Sequence, residues 1–98
     1  MVTYAYDIVL QAPLGDRRGV LELVIQDKKV NGTLDALGYK TICSGVIDSE
    51  GNCSLQGSIK TFMSEFDYTG IGYVDNTRVD IKLSNSRNSF RLLGTACK

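Results

Sequence analysis

Side chains able to exchange protons, bind metal or attack a substrate come down here to five tyrosines, three cysteines and scattered acids; histidine is absent. The commonest general base and metal ligand is therefore missing. The acids sit where turns and strand faces ask for them. Asp27, Asp48 and Asp75 fall in turn stretches, where an aspartate hydrogen-bonds its own backbone, and Asp35, Asp67 and Asp80 point outward along alternating segments. No pair converges as a hydrolase needs. Cys43, Cys53 and Cys97 are odd in number and follow no zinc spacing, which reads as reduced thiols packed as small hydrophobes in a cytoplasmic setting. Closing a turn between Ile47 and Asn52 sets Cys43 opposite about residue 56, out of register for a bridge to Cys53. The sequence predicts no enzyme, no cofactor and no metal.

Residues 13–19, PLGDRRG, carry the glycines and arginines of a phosphate loop but lead into a strand, with no helix N-terminus to hold the anion. A solvated loop accounts for them, with Arg17 and Arg18 placed to meet an acidic partner at a rim. The aromatic residues are the better candidates. Tyr4, Tyr6 and Tyr68, with Phe66 and Phe90, fall on the inward face of their segments. Either they line a pocket for a small apolar or aromatic ligand, the hydroxyls fixing its orientation, or they fill the core near a barrel mouth.

The elements that must position them are strands. In residues 44–60, SGVIDSEGNCSLQGSIK, a polar turn at 48–52 separates two alternating runs, and Cys53, Leu55, Gly57 and Ile59 alternate with Ser54, Gln56, Ser58 and Lys60. The same pattern predicts strands over 2–11, 19–26, 29–36, 66–74, 77–83 and 89–96 on either side. The link 12–18 holds the single proline, where no ladder bond is required. Residues 60–67, KTFMSEFD, compete as one helical turn capping a barrel end. Gly19, Gly45, Gly70 and Gly94 recur at intervals of 26, 25 and 24 residues, the mark of a meander of hairpins arising by duplication or by convergence.

Eight short antiparallel strands in one 98-residue domain favour closure, because a closed sheet has no unpaired edge. The expected fold is all-β, a small eight-stranded antiparallel up-and-down barrel, with a β-sandwich or half-open roll as the alternative. Gly32, Gly45, Gly57, Gly70, Gly72 and Gly94 on the inward face suit tight coiling. Eleven basic and eleven acidic residues cancel without a long run of either sign, which argues against nucleic acid and against a polybasic membrane surface. Apolar runs are far shorter than a membrane span, and the opening residues lack an export-type leader.

The run YDIVLQAPLGDRRGVL at residues 6–21, with NGTL at 31–34 and SGVID at 44–48, resembles a group of small uncharacterised bacterial proteins with a calycin-like meander. The resemblance implies a barrel and, by analogy with lipocalins and fatty-acid-binding proteins, an apolar ligand; the tryptophan that lipocalins carry near the start is missing. Two outward apolar sets offer a partner surface instead. Val9, Val20, Val24 and Leu93 lie on neighbouring strands of a closed barrel, and Ile42, Val46, Ile71 and Tyr73 form a second set. A homodimer, or an accessory subunit without a ligand, is the reading they support.

Overall fold

Strict alternation gives every strand one apolar side, and a single sheet of such strands has to curl over that side to bury it. The computed structural model of the chain describes residues 1–12, 15–36, 38–60, 65–86 and 89–97. It shows this curling carried to closure. The strands are β1 (Val2–Ala12), β2 (Gly15–Gln26), β3 (Lys29–Ala36), β4 (Tyr39–Ile47), β5 (Asn52–Lys60), β6 (Glu65–Val74), β7 (Arg78–Ser84) and β8 (Ser89–Ala96). Each runs antiparallel to the next, and β8 pairs back onto β1, so the sheet is the closed up-and-down barrel and not the sandwich or the half-open roll. No helix occurs among the described residues.

The register fixes how wide the barrel is. A path of paired residues leaves β1 at Gln11 and passes Arg91, Lys82, Ile71, Ser54, Val46, Lys29 and Gln26. Gln26 lies one rung beyond the Val2–Ile25 pair, so the path returns to β1 at Met1, displaced by the ten residues between positions 11 and 1. Such a stagger tilts eight strands by roughly 35–45° and leaves an interior just wide enough for side chains to fill. It is filled by Tyr6, Leu10, Leu21, Leu23, Leu34, Ile81, Leu83 and Leu92, among others, all essentially inaccessible. At the edge of this interior Val2, on the same face of β1 as Tyr4, Tyr6 and Ile8, is 45% exposed because it stands at the barrel's end.

The glycine repeat has a geometric meaning. Ile8 lies between Gly19 and Gly94 in one row, and Leu55 lies between Gly45 and Gly70 in another, on β1 and β5, half a barrel apart. At Gly45 an added Cβ would overlap the Ser54 carbonyl, and at Gly94 it would stand 2.6 Å from the Asp7 carbonyl and from Ile8. A missing side chain is what lets each neighbouring strand fold tightly over the central aliphatic.

Two expectations shift. β2 begins at Gly15 and not at 19, because its ladder with β1 continues through Leu10–Arg17 to Ala12–Gly15; the apolar pattern stops at the core but the hairpin does not. The β4–β5 turn closes one residue later than expected, with Ile47 opposite Cys53 and Cys43 opposite Gly57, because Asp48 N–H donates to the Asn52 carbonyl at 3.0 Å and adds a residue to the loop. Both thiols are buried and unbridged. In the segment read as strand or helical turn, Lys60 ends β5 and Glu65 begins β6; residues 61–64 lie outside the described residues.

Candidate functional site

An up-and-down chain sends every second turn to the same end. One end of the barrel is therefore built by the turns at 27–28, 48–51 and 75–77, by the start of β1 and by the end of β8. Asp27 and Lys28 adopt left-handed conformations, φ 54° and 64°, as a two-residue hairpin turn requires. Each turn then hands a carbonyl to the strand beyond it: Ile47 N–H donates to Lys28 O at 3.0 Å, Val74 N–H to Gly51 O at 2.9 Å and Ala96 N–H to Thr77 O at 2.8 Å. Cys97 N–H completes the circuit on Ala5 O at 2.8 Å. These bonds make the end a tied ring.

Inside that ring lies a concavity of about 340 Å³, lined by Val2, Tyr4, Ile25, Ile47, Tyr73 and Val74 and rimmed by Lys28, Asp48, Ser49, Glu50, Gly51 and Asp75. Its volume falls at the lower end of the range for small-molecule sites. Tyr4, Ile25 and Ile47 are half-buried and pack on the core below. The Tyr4 and Tyr6 rings meet edge to face with centroids 6.1 Å apart. Larger hollows, of about 930 and 610 Å³, lie on the outer wall beside polar and charged side chains such as Arg78, Lys82 and Arg91, or Gln56, Ser58 and Asp67, and a third, of about 550 Å³, lies on the wall over Val46, Ser54 and Ile71. The barrel end is the better site, since its apolar base is ringed by hydrogen-bonded turns, whereas the outer hollows lie open on the wall.

The predicted ligand residues divide between the two ends. Tyr4 alone faces the mouth from the floor. Tyr6, fully buried, uses its hydroxyl to bond the Asp75 backbone carbonyl, and burial raises its phenol pKa well above the ordinary value. Tyr68 sits opposite Gly57, toward the other end, its ring in the space a glycine side chain leaves. Its hydroxyl pairs with the Cys43 thiol, and burial raises both groups. Phe90, half-buried opposite Leu83, belongs to that far end too. Phe66 pairs with Ile59 there through its backbone, and its side chain lies outside the described residues. Two of the three tyrosine hydroxyls are thus spent inside the protein.

The outward sets divide as well. Val9 and Leu93 are direct cross-strand neighbours; Val20 stands diagonal to them opposite Asp7, and Val24 opposite Thr3 is set apart by Glu22. Val9, Val24 and Leu93 are half-buried and Val20 is 36% exposed. Ile42, Val46 and Ile71 stand out much further, at 77%, 58% and 68%. Val46 and Ile71 flank Ser54 in one row across β4, β5 and β6.

No family model, curated protein or solved structure matches this chain. Its chemistry is read from its own geometry. Ile25, Ile47 and the rim acids were not singled out as site residues from sequence, and Tyr73 was assigned to an outward partner set instead. Their signal was topological: in a meander, the turns at 27, 48 and 75 share an end with Tyr4.

Proposed function

We propose that the protein is a non-catalytic binding module that holds a small apolar or aromatic group at the barrel mouth beside Tyr4. The observation that carries the reading is the apolar concavity over Tyr4, Ile25 and Ile47, enclosed by hydrogen-bonded turns. A preformed site of this kind spends little on ordering when it binds. The filled interior supports a ligand at the mouth and not along the axis. A calycin-like kinship, implied by the resemblance at residues 6–21, fits a ligand at an open barrel end. Titrating indole into ¹⁵N-labelled protein tests the site: amide shifts should centre on Tyr4, Ile25, Ile47 and Gly51 and vanish in Tyr4→Ala. Shifts confined to the outer wall, or none at millimolar indole, would reject it.

The exposed Val46–Ser54–Ile71 row favours a second reading, a homodimeric interaction module. Light scattering should then give a dimer mass that falls to monomer in Ile71→Asp; a monomer in the native chain would dismiss it.

A further inference from the structure

The rim of the mouth carries charge of one dominant sign, and this narrows the ligand class, granted that the mouth is the binding site. Three carboxylates, Asp48, Glu50 and Asp75, stand in the lining against one ammonium, Lys28. Two of the three are fixed. Asp48 Oδ1 accepts the Glu50 and Asn52 amides at 2.8 and 3.0 Å, and its Oδ2 accepts Asn52 Nδ2 at 3.0 Å. Asp75 Oδ1 accepts Thr77 N–H and Thr77 Oγ1, each at 2.7 Å, and Arg78 N–H at 2.9 Å. These donors are neutral, so they hold the carboxylates ionised without cancelling their charge. The nearby Arg78 guanidinium is turned onto the Tyr73 ring, 5.3 Å from its centroid. The Tyr6 hydroxyl grips the Asp75 carbonyl and so draws that carboxylate's turn over the Tyr4–Tyr6 ring pair.

An apolar floor below a net negative rim matches a molecule with an apolar body and one positive charge. We infer that the mouth selects an amphipathic organic cation, an aromatic or aliphatic body bearing a protonated amine. The body covers Tyr4, Ile25 and Ile47, and the ammonium reaches the carboxylates of the 48–50 and 75 turns. The Tyr4 ring at the mouth favours a cation further, through the negative face of its π-system. A carboxylate on the same body meets like charge. Because the rim is open to water, the selectivity is modest and falls as salt rises.

Indole, tryptamine and indole-3-propionate share one body and differ in charge. Titrated into ¹⁵N-labelled full-length protein at low ionic strength, tryptamine should bind about fivefold more tightly than indole, and indole-3-propionate more weakly than either. Half-molar sodium chloride should erase most of the difference, and so should Asp48→Asn combined with Glu50→Gln, which keeps the Oδ1 acceptor for the two turn amides, gives up the Oδ2 bond to Asn52 Nδ2 and removes two charges. Equal affinities for indole and tryptamine, with shifts still centred on the mouth, would overturn the charge selectivity and leave the apolar site standing. Absence of mouth shifts with all three compounds would remove the site itself and this inference with it.

Discussion

Replacing Tyr6 by phenylalanine removes one oxygen and leaves the packing of a fully buried ring intact. The lost atom is the donor to the Asp75 carbonyl, a contact between β1 and the β6–β7 turn that spans 69 positions of sequence. A net hydrogen bond contributes about 1 kcal/mol, and a half-buried carbonyl left without its donor costs somewhat more, so the expected loss is about 1–2 kcal/mol. For a domain of this size that lowers the thermal midpoint by roughly 4–8 °C per kcal/mol. Urea unfolding followed by circular dichroism gives the free energy directly, with the slope unchanged because the same surface is exposed. Tyr4→Phe is the matched control: its ring is half-buried at the mouth, and its change should stay within about 0.5 kcal/mol. Amide shifts at Thr77 and Arg78 should accompany the Tyr6 change alone, since the turn loses its tether. If Tyr6→Phe were as stable as the native chain, or no more costly than Tyr4→Phe, the hydroxyl would have no structural part and the reasoning about the fixed mouth would fail.

Alkaline pH should unfold the protein through its buried acids. The Tyr6 and Tyr68 phenols are raised above their ordinary value of 10.0, so the folded state keeps protons that the unfolded chain releases. The phenols' contribution is whole below pH 10 and falls above it by about 1.4 kcal/mol per pH unit for each; Cys53, pushed by burial from 9.0 up to about 11, starts the overall decline earlier, from pH 9. Urea midpoints from pH 8 to 11 check the slope, and a flat profile contradicts it. Gly45→Ala should cost about 2–4 kcal/mol, because its Cβ would enter the Ser54 carbonyl, whereas Gly38→Ala, in open space at φ 82°, should cost only about 1 kcal/mol in backbone strain. Equal denaturation midpoints for the two variants would refute the close approach of β4 and β5. An aromatic disulfide reagent at neutral pH should modify Cys97 in the native protein and all three thiols only after denaturation, since Cys43 and Cys53 are buried; rapid labelling of three thiols would expose an error in the core.

The strands and their faces were legible because burial on one side leaves a period of two in the sequence, as at Val79, Ile81 and Leu83. Closure followed from the same pattern together with the inward glycines. Features outside the core left no such trace. Residues 15–18 pair with β1 although Asp16, Arg17 and Arg18 are exposed, so hydrophobic alternation could not reveal the longer hairpin. Nor does sequence spacing say where a phenol ends. Tyr4, Tyr6 and Tyr68 share one parity, yet the stagger and the strand direction place Tyr68 toward the opposite end, against Gly57. The mouth itself needs the order of turns around the ring, which only the closed topology supplies.

Every ladder of the barrel but one joins strands adjacent in the chain, and the exception, β1 with β8, ties the first strand to the last. Hairpins can form early and locally, but this last seam has to wait for all eight strands and carries the largest loop entropy. Until it closes, β1 and β8 are open edges with aliphatic rows such as Ile8, Leu10 and Leu92 beside them, a template for another unfinished chain. A ribosome-bound or truncated chain lacking β8 is therefore the species most exposed to aggregation, and the hydrogen bonds from Tyr6–Ala96 to Gln11–Arg91 are what separate a closed barrel from an open-edged sheet.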